Sequence, residues 1–249
     1  MQEVVFKRTS GLTSKPFHYC PGCTHGIIHR LVGEVIEELG VIEDTVGVAP
    51  VGCAAFCPDF FNVDMQASAH GRAAATATGV KRALPDKTVF TYQGDGDLAA
   101  IGTAEFIHAA VRGEKFTTIF VNNAIYGMTG GQMAPTTLIN QKTSTSPFGR
   151  SAETQGYPMD VPAMLVTIPG AVYVASVSVD TPKNVIAAKK AIKKAFQIQQ
   201  AGLGYTFVSV LSTCATNWGL SPQKSLQWLR DNMMTYYQMG ELKVPEGFR

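Results

Sequence analysis

Long apolar runs are missing from this sequence. No stretch approaches the length of a membrane span, and the opening MQEVVFKRTS lacks the apolar centre of a secretory leader. The expectation is a cytoplasmic protein with no membrane partner. A surplus of one charge is missing too. With 21 Lys and Arg against 19 Asp and Glu the net charge is +2, which offers neither a nucleic-acid surface nor a polybasic anchor. Cysteine is scarce, and its odd count of 5 argues against a disulfide framework. Thiols kept reduced are free to bind metal or to carry electrons. Internal repeats, low-complexity tracts and linkers are absent as well. The 249 residues, 45% of them hydrophobic, suit one well-buried core better than two, so the chain reads as a single domain over 1–249.

What is present is an alternation of helical and strand-like segments. From Thr24 the residues Ile27, Ile28, Leu31, Val32, Val35, Ile36 and Leu39 recur at helical spacing, and Gly40 stops them. A short strand is expected over 45–50, and a tightly packed helix over 71–84 ends at Pro85-Asp86. A strand over 88–92 runs into a glycine turn, followed by a helix over 98–111 and a strand over 117–121. Strands over 171–179 and 205–211 flank a long helix over 182–200. Such alternation predicts an α/β fold with a doubly wound, mostly parallel sheet. The stretch from Tyr126 to about Pro162 has no period and is rich in Gly, Thr, Ser and Pro. It leaves a strand at its carboxyl end, where open α/β sheets bind ligands, so it is expected to belong to a site. Lys189, Lys190, Lys193 and Lys194 form an i,i+4 stripe that reads either as a solvated face or as a dock for an acidic protein.

Two motifs carry chemistry. Gly94-Asp95-Gly96-Asp97 sits between a strand and a helix, where glycines let the backbone approach an anion and a helix start offers free amides. Asp95 is placed to hold a divalent cation; magnesium takes few carboxylates and completes its octahedron with phosphate oxygens. Alone, the tetrapeptide could equally be an ordinary connection. Asn122-Asn123 ends the next strand, and adjacent parallel strands bring Asp95 and Asn123 to one sheet edge. Cys20 and Cys23 form a CxxC pair, a pattern shared by zinc sites, thioredoxin-like motifs and iron–sulfur clusters. A zinc ribbon would want a second such pair, and a thioredoxin-like site would want a strand before it, which Lys15–Tyr19 does not make. Cys53 and Cys214 each follow a strand and could meet the pair at the same edge, or could be small buried hydrophobes. Cys57 reads as a packed thiol.

GDGD followed by NN one helix and one strand later is similar to the thiamine diphosphate fingerprint. With Tyr126-Gly127-Met128-Thr129-Gly130-Gly131-Gln132, Ala69-His70-Gly71-Arg72 and Cys20-Pro21-Gly22-Cys23, the chain resembles the beta subunit of 2-oxoacid:ferredoxin oxidoreductases, most nearly the 2-oxoisovalerate type. The resemblance runs from about Tyr19 to Trp218. It implies a single thiamine diphosphate-binding domain, with the remainder as a C-terminal helical extension. It also implies magnesium held by Asp95, the Asn123 side chain and the Ile125 carbonyl. Gly96, Asp97, Gly127, Met128 and Thr129 would surround the diphosphate and thiazolium, with Val51, Gly52, Cys53 and Ala54 on the other side. Cys20, Cys23, Cys53 and Cys214 would hold a [4Fe–4S] cluster. His70 touches the cofactor or caps its helix, two readings that the residues do not separate; His25 orients a thiolate or the cofactor, or simply occupies a helix terminus. Met128 would face the substrate and, being apolar, favours an apolar substrate side chain.

The implied activity is oxidative decarboxylation of a 2-oxo acid to acyl-CoA and carbon dioxide, with electrons passing through the cluster to ferredoxin. 2-Oxoglutarate and pyruvate are the alternative substrates. The resemblance further implies an alpha subunit carrying the pyrimidine-binding domain, with room for gamma and delta subunits beside it. A non-oxidative thiamine enzyme would leave the four cysteines without purpose. A non-catalytic iron–sulfur or zinc protein would leave GDGD and NN unexplained.

Overall fold

A computed structural model describes residues 6–249; positions 1–5, half of the opening stretch read above as unlike a leader, lie outside the described residues. Seven strands form one sheet: β1 Thr45–Ala49, β2 Asp64–Ala67, β3 Thr88–Gly94, β4 Thr117–Asn122, β5 Ala171–Ser178, β6 Tyr205–Leu211 and β7 Gly240–Lys243. Their order is β2-β1-β3-β4-β6-β5-β7, and every pair is parallel except β5 with β7. β1, β4 and β6 are buried along their whole length, because helices cover both faces and no polar alternation is needed.

The strand side chains divide between two cores. Phe90, Tyr92, Ile119, Val208 and Val210 pack with the helices His25–Glu38 and Pro182–Gln200. Val89, Phe120, Val174 and Phe207 pack with Ala73–Ala83, Thr103–Val111 and Val161–Val166. No helix among the described residues is long and apolar enough to cross a membrane.

Three features depart from the sequence pattern. The helix expected over 98–111 begins as a π-helical turn over Gly96–Ile101 and becomes α-helical only over Thr103–Val111. Such wide turns often mark functional sites. β2 and β7 were not expected: their segments, DMQA and GELK, lie at the two edges, half or fully exposed, and carry no apolar alternation. The region after Trp218 is therefore helical only in part. It runs through Pro222–Trp228 and a π turn to Tyr236, then returns to the sheet as β7.

The lysine stripe is largely engaged at home. Lys189 pairs with Glu34 and Glu38, Lys193 with Glu38, and Lys194 with Glu241. These pairs tie the long helix to the first helix and to β7, which favours a stitched helix face over a free cationic dock; each such exposed pair contributes little stability.

Candidate functional site

β1 leads outward to β2, whereas β3 starts the run toward β4, so the crevice between β1 and β3 is the topological switch point of the sheet. The segments leaving β1, β3 and β4 meet there around a cavity of ≈ 320 Å³. Its wall contains Val51, Gly52, Cys53, Ala54, His70, Asp95, Gly96, Asp97, Asn123, Ile125, Gly127, Met128 and Thr129. All the positions expected around diphosphate, thiazolium and magnesium thus surround one space. His25, for which contact with the cofactor was one reading, and Tyr126, which opens the loop expected at the site, also line it, as does Ile101, which was not assigned to it.

Asp95 follows β3 and is almost wholly buried, at 3% exposure. Its Oδ1 accepts from Gly96 N–H at 3.0 Å, and its Oδ2 accepts from Ile125 N–H at 3.1 Å and Thr136 Oγ1 at 3.0 Å. Burial nevertheless pushes its carboxyl up to about 6, against the lowering effect of these donors. Among the described residues it has no cationic partner. A buried carboxylate with neutral donors and no counter-charge fits a divalent cation.

The turn after β4 supplies the other side. Ala124 adopts φ 57°, a left-handed conformation uncommon for a residue with a Cβ. It is held there because its N–H donates to Asn122 Oδ1 at 3.1 Å, while its carbonyl accepts from Thr137 Oγ1 and Gln141 Nε2. The kink brings Asn123 Oδ1 within 3.2 Å of Ile125 N–H and sets both residues on the cavity wall with Asp95. Asp95, Asn123 and the Ile125 carbonyl could therefore hold magnesium.

Asp97 has a different task. Its Oδ1 accepts from His70 Nδ1 at 2.7 Å, Gly71 N–H at 2.9 Å and Val51 N–H at 3.1 Å, and its Oδ2 accepts from Gln93 Nε2 at 2.7 Å. One buried carboxylate thus fastens the loops after β1 and β2 to the end of β3. His70 lines the cavity through this bond rather than by capping its helix, whose N-cap is Arg72.

Three cysteine-bearing loops are tied together beside the cavity. Thr24 Oγ1 lies 2.7 Å from Ser212 Oγ, and Thr213 Oγ1 donates to the Gly22 carbonyl at 2.6 Å. This draws Cys20 and Cys23 to Cys214. His18 Nε2 lies 3.1 Å from the Cys53 carbonyl, linking the third loop. Burial and then the neighbouring thiols Cys214, Cys53 and Cys20 push the Cys23 thiol up to about 12. Burial, then Cys214 and Cys20, push Cys53 up to about 11. Burial and mutual repulsion of this kind disfavour charge on Cys23 and Cys53 unless positive charge sits among them. No group of three or more His, Cys, Asp or Glu side chains among the described residues is close enough for a single metal ion. Cys57 stands apart, 0% exposed in the core, its thiol pushed up to about 12 by burial.

Arg150 is the main residue that sequence reasoning missed. It is 5% exposed and donates to the carbonyls of Pro135, Thr137, Gln155, Gly156 and Tyr157 at 2.7 to 3.2 Å. No periodicity or motif announces a lone arginine in an irregular stretch. Its fork replaces the hydrogen bonds that a helix or sheet would have made, and so fixes the loop that carries Thr136 to Asp95. Arg150→Met should leave these carbonyls unsatisfied at a cost of about 3 kcal/mol. The expected fall in Tm is roughly 6–12 °C by calorimetry, with Arg150→Lys recovering little of it. An unchanged Tm in Arg150→Met would remove this role.

Comparison with known proteins places these features. The family model for the thiamine pyrophosphate enzyme C-terminal TPP-binding domain matches residues 50–210. The chain is 48% identical over 229 residues to the ketoisovalerate oxidoreductase subunit VorA of Methanothermobacter thermautotrophicus, covering 92% of this chain and 48% of that protein. It is 39% identical over 223 residues to the 2-oxoglutarate synthase subunit KorB of Methanocaldococcus jannaschii, covering 87% of this chain and 78% of that protein. Among solved structures, a 2-oxoglutarate:ferredoxin oxidoreductase from Magnetococcus marinus, with 2-oxoglutarate, coenzyme A and succinyl-CoA bound, matches with a TM-score of 0.79 at 30% identity. That match covers 92% of this chain and 74% of the other. The chain thus spans about half the length of the ketoisovalerate relative.

Proposed function

Because the chain belongs to the thiamine diphosphate-binding subunits of the 2-oxoacid:ferredoxin oxidoreductase family, we propose that it carries thiamine diphosphate, magnesium and a [4Fe–4S] cluster. With a pyrimidine-binding partner subunit it converts a 2-oxo acid, coenzyme A and oxidised ferredoxin to acyl-CoA, carbon dioxide and reduced ferredoxin. The observation that carries this reading is the position of Gly127. It lines the cavity, and a Cβ there would lie 3.2 Å from Cys53 Sγ and 3.5 Å from Cys214 Sγ. Cys53 itself lines the cavity and Gly127 packs against both sulfurs, so the thiols and the cofactor space adjoin.

When bound, thiamine diphosphate supplies the carbanion chemistry that decarboxylation needs. The chain's own residues bind and orient. Asp95, Asn123 and the Ile125 carbonyl hold the magnesium that carries the diphosphate. Gly96 lets the backbone pass close beneath Tyr126, where a Cβ would meet the ring at 3.0 Å. Cys20, Cys23, Cys53 and Cys214 hold the cluster, and Asn217 Nδ2 braces them by donating to Cys214 Sγ at 3.2 Å and to the Gly127 carbonyl at 2.9 Å.

For the substrate we favour 2-oxoisovalerate. Among the described residues lining the cavity there is no Lys or Arg to meet a second carboxylate, and Met128 stands half-exposed at the rim. Among the described residues no glutamate lines the cavity either, so we assign the glutamate that the resemblance implies for activating the aminopyrimidine to the pyrimidine-binding partner. Val51, Ile101 and Met128 are exposed apolar residues on that wall and suit such a contact.

The test is anaerobic viologen reduction with and without a coexpressed pyrimidine-domain subunit. Turnover should require that subunit, and kcat/KM should be higher with 2-oxoisovalerate than with 2-oxoglutarate. A higher value with 2-oxoglutarate would overturn the substrate assignment, and full turnover by this chain alone would overturn the division of labour.

A further inference from the structure

We propose that His25 contacts the substrate, donating a hydrogen bond from Nε2–H to an oxygen of the 2-oxo acid. The proposal rests on the function proposed above.

The ring of His25 forms part of the cavity wall although the residue is only 3% exposed. Its Nδ1 lies 2.8 Å from the Tyr92 hydroxyl. Tyr92 is fully buried on β3, and among the described residues its hydroxyl has this one partner. A hydroxyl with a single partner that can accept will donate to it, so Nδ1 is the acceptor and the ring proton belongs on Nε2. Nε2 has no hydrogen-bond partner among the described residues, and it is not one of the buried polar atoms sealed from solvent. The free donor therefore faces the cavity.

The imidazole is also held still. Tyr19 stacks on it with ring centroids 4.6 Å apart at 15°, and His29 packs against Tyr92 at 4.4 Å. His29 Nδ1 in turn lies 3.0 Å from the His25 carbonyl. A ring locked by stacking and one fixed hydrogen bond presents its other nitrogen without entropic cost at the moment of binding. What it would meet is a hydrogen-bond acceptor in a cavity whose nearby wall is mostly apolar or backbone. The magnesium set of Asp95, Asn123 and Ile125 accounts for the diphosphate. An anionic or carbonyl oxygen of the 2-oxo acid is the acceptor left to satisfy. His25 also begins the helix that follows Cys23, so the contact lies between the thiols and the substrate space.

The experiment uses the complete enzyme with its partner subunit and measures by calorimetry the apparent dissociation constant of an acylphosphonate analogue of the 2-oxo acid, which cannot lose carbon dioxide. Iron and thiamine diphosphate contents are determined for each variant, together with KM and kcat. His25→Leu should weaken the analogue about 10-fold or more, with a matching rise in KM. His25→Gln, whose amide N–H reaches near the Nε2 position, should stay within about 3-fold of wild type. Tyr92→Phe, which frees the ring to turn, should fall between them. Wild-type affinity in a fully loaded His25→Leu enzyme overturns the proposal. If His25→Leu loses iron or cofactor, the other two variants decide: tighter binding by His25→Gln than by Tyr92→Phe supports it, and equal binding overturns it. A wild-type complex that binds no analogue at all overturns the function proposed above as well.

Discussion

Asp95→Ala should abolish retention of thiamine diphosphate while leaving the sheet folded. Among the ligands proposed for magnesium, Asp95 alone brings a formal negative charge, and the cation is the link to the diphosphate. Even outer-shell partners of a metal are worth roughly 10–100-fold in affinity, so loss of this carboxylate should cost more than about 100-fold. The fold should survive because Asp95 lies at a strand end, outside both hydrophobic cores. Alanine also removes the acceptor for Ile125 N–H and Thr136 Oγ1, so a local loosening could mimic the loss of a ligand. Asp95→Asn narrows the ambiguity, since its one oxygen can still accept from Ile125 N–H and Thr136 Oγ1 while the charge and the acceptor for Gly96 N–H are lost. Both variants should bind poorly in calorimetry with magnesium present, and both should keep the far-ultraviolet circular dichroism of wild type. Binding like wild type in either would remove Asp95 from the metal site.

The second large effect concerns the thiols. Serine at Cys20, Cys23, Cys53 or Cys214 should bleach the visible absorption of anaerobically purified enzyme, lower its iron content and stop viologen reduction. Serine at Cys57 should do none of these. Cys57 is sealed in the core under the β1 loop, and a hydroxyl there is an unpaired polar group worth about 1–3 kcal/mol of stability. Its expected signature is a lower Tm with iron unchanged. Cys214 is the most informative position, because burial raises its thiol and Asn217, which donates to its sulfur, only partly opposes that. Full iron in Cys214→Ser would break the four-ligand set, and a bleached Cys57→Ser would redraw it.

Much of the scaffold was legible because its signals are local. The helix Pro182–Gln200 carries its own start, with Thr181 accepting from Asn184 N–H and proline in the first turn, and its ends match the sequence pattern. β6 is an unbroken buried run that needs no partner to declare itself. GDGD and NN could be joined because two strand ends in a parallel sheet share an edge, and β3 does pair directly with β4. β2 and β7 were illegible for the converse reason: edge strands gain their hydrogen bonds from a neighbour and bury little, so their composition stays polar.

By itself the sequence singled out candidate residues: the aspartate and asparagine at strand ends, the four thiols, the glycines that allow close approach. Only the tertiary structure decided which partners each one has. Asp95 and Asp97 stand two residues apart in the same motif, yet one is left without a counter-charge beside the cavity and the other is consumed by four neutral or histidine donors. Arg150 and the His25–Tyr92 pair depend on partners far along the chain. A side chain's type fixes what bonds it can make, but long-range packing fixes which partners reach it and which atom is left facing the cavity.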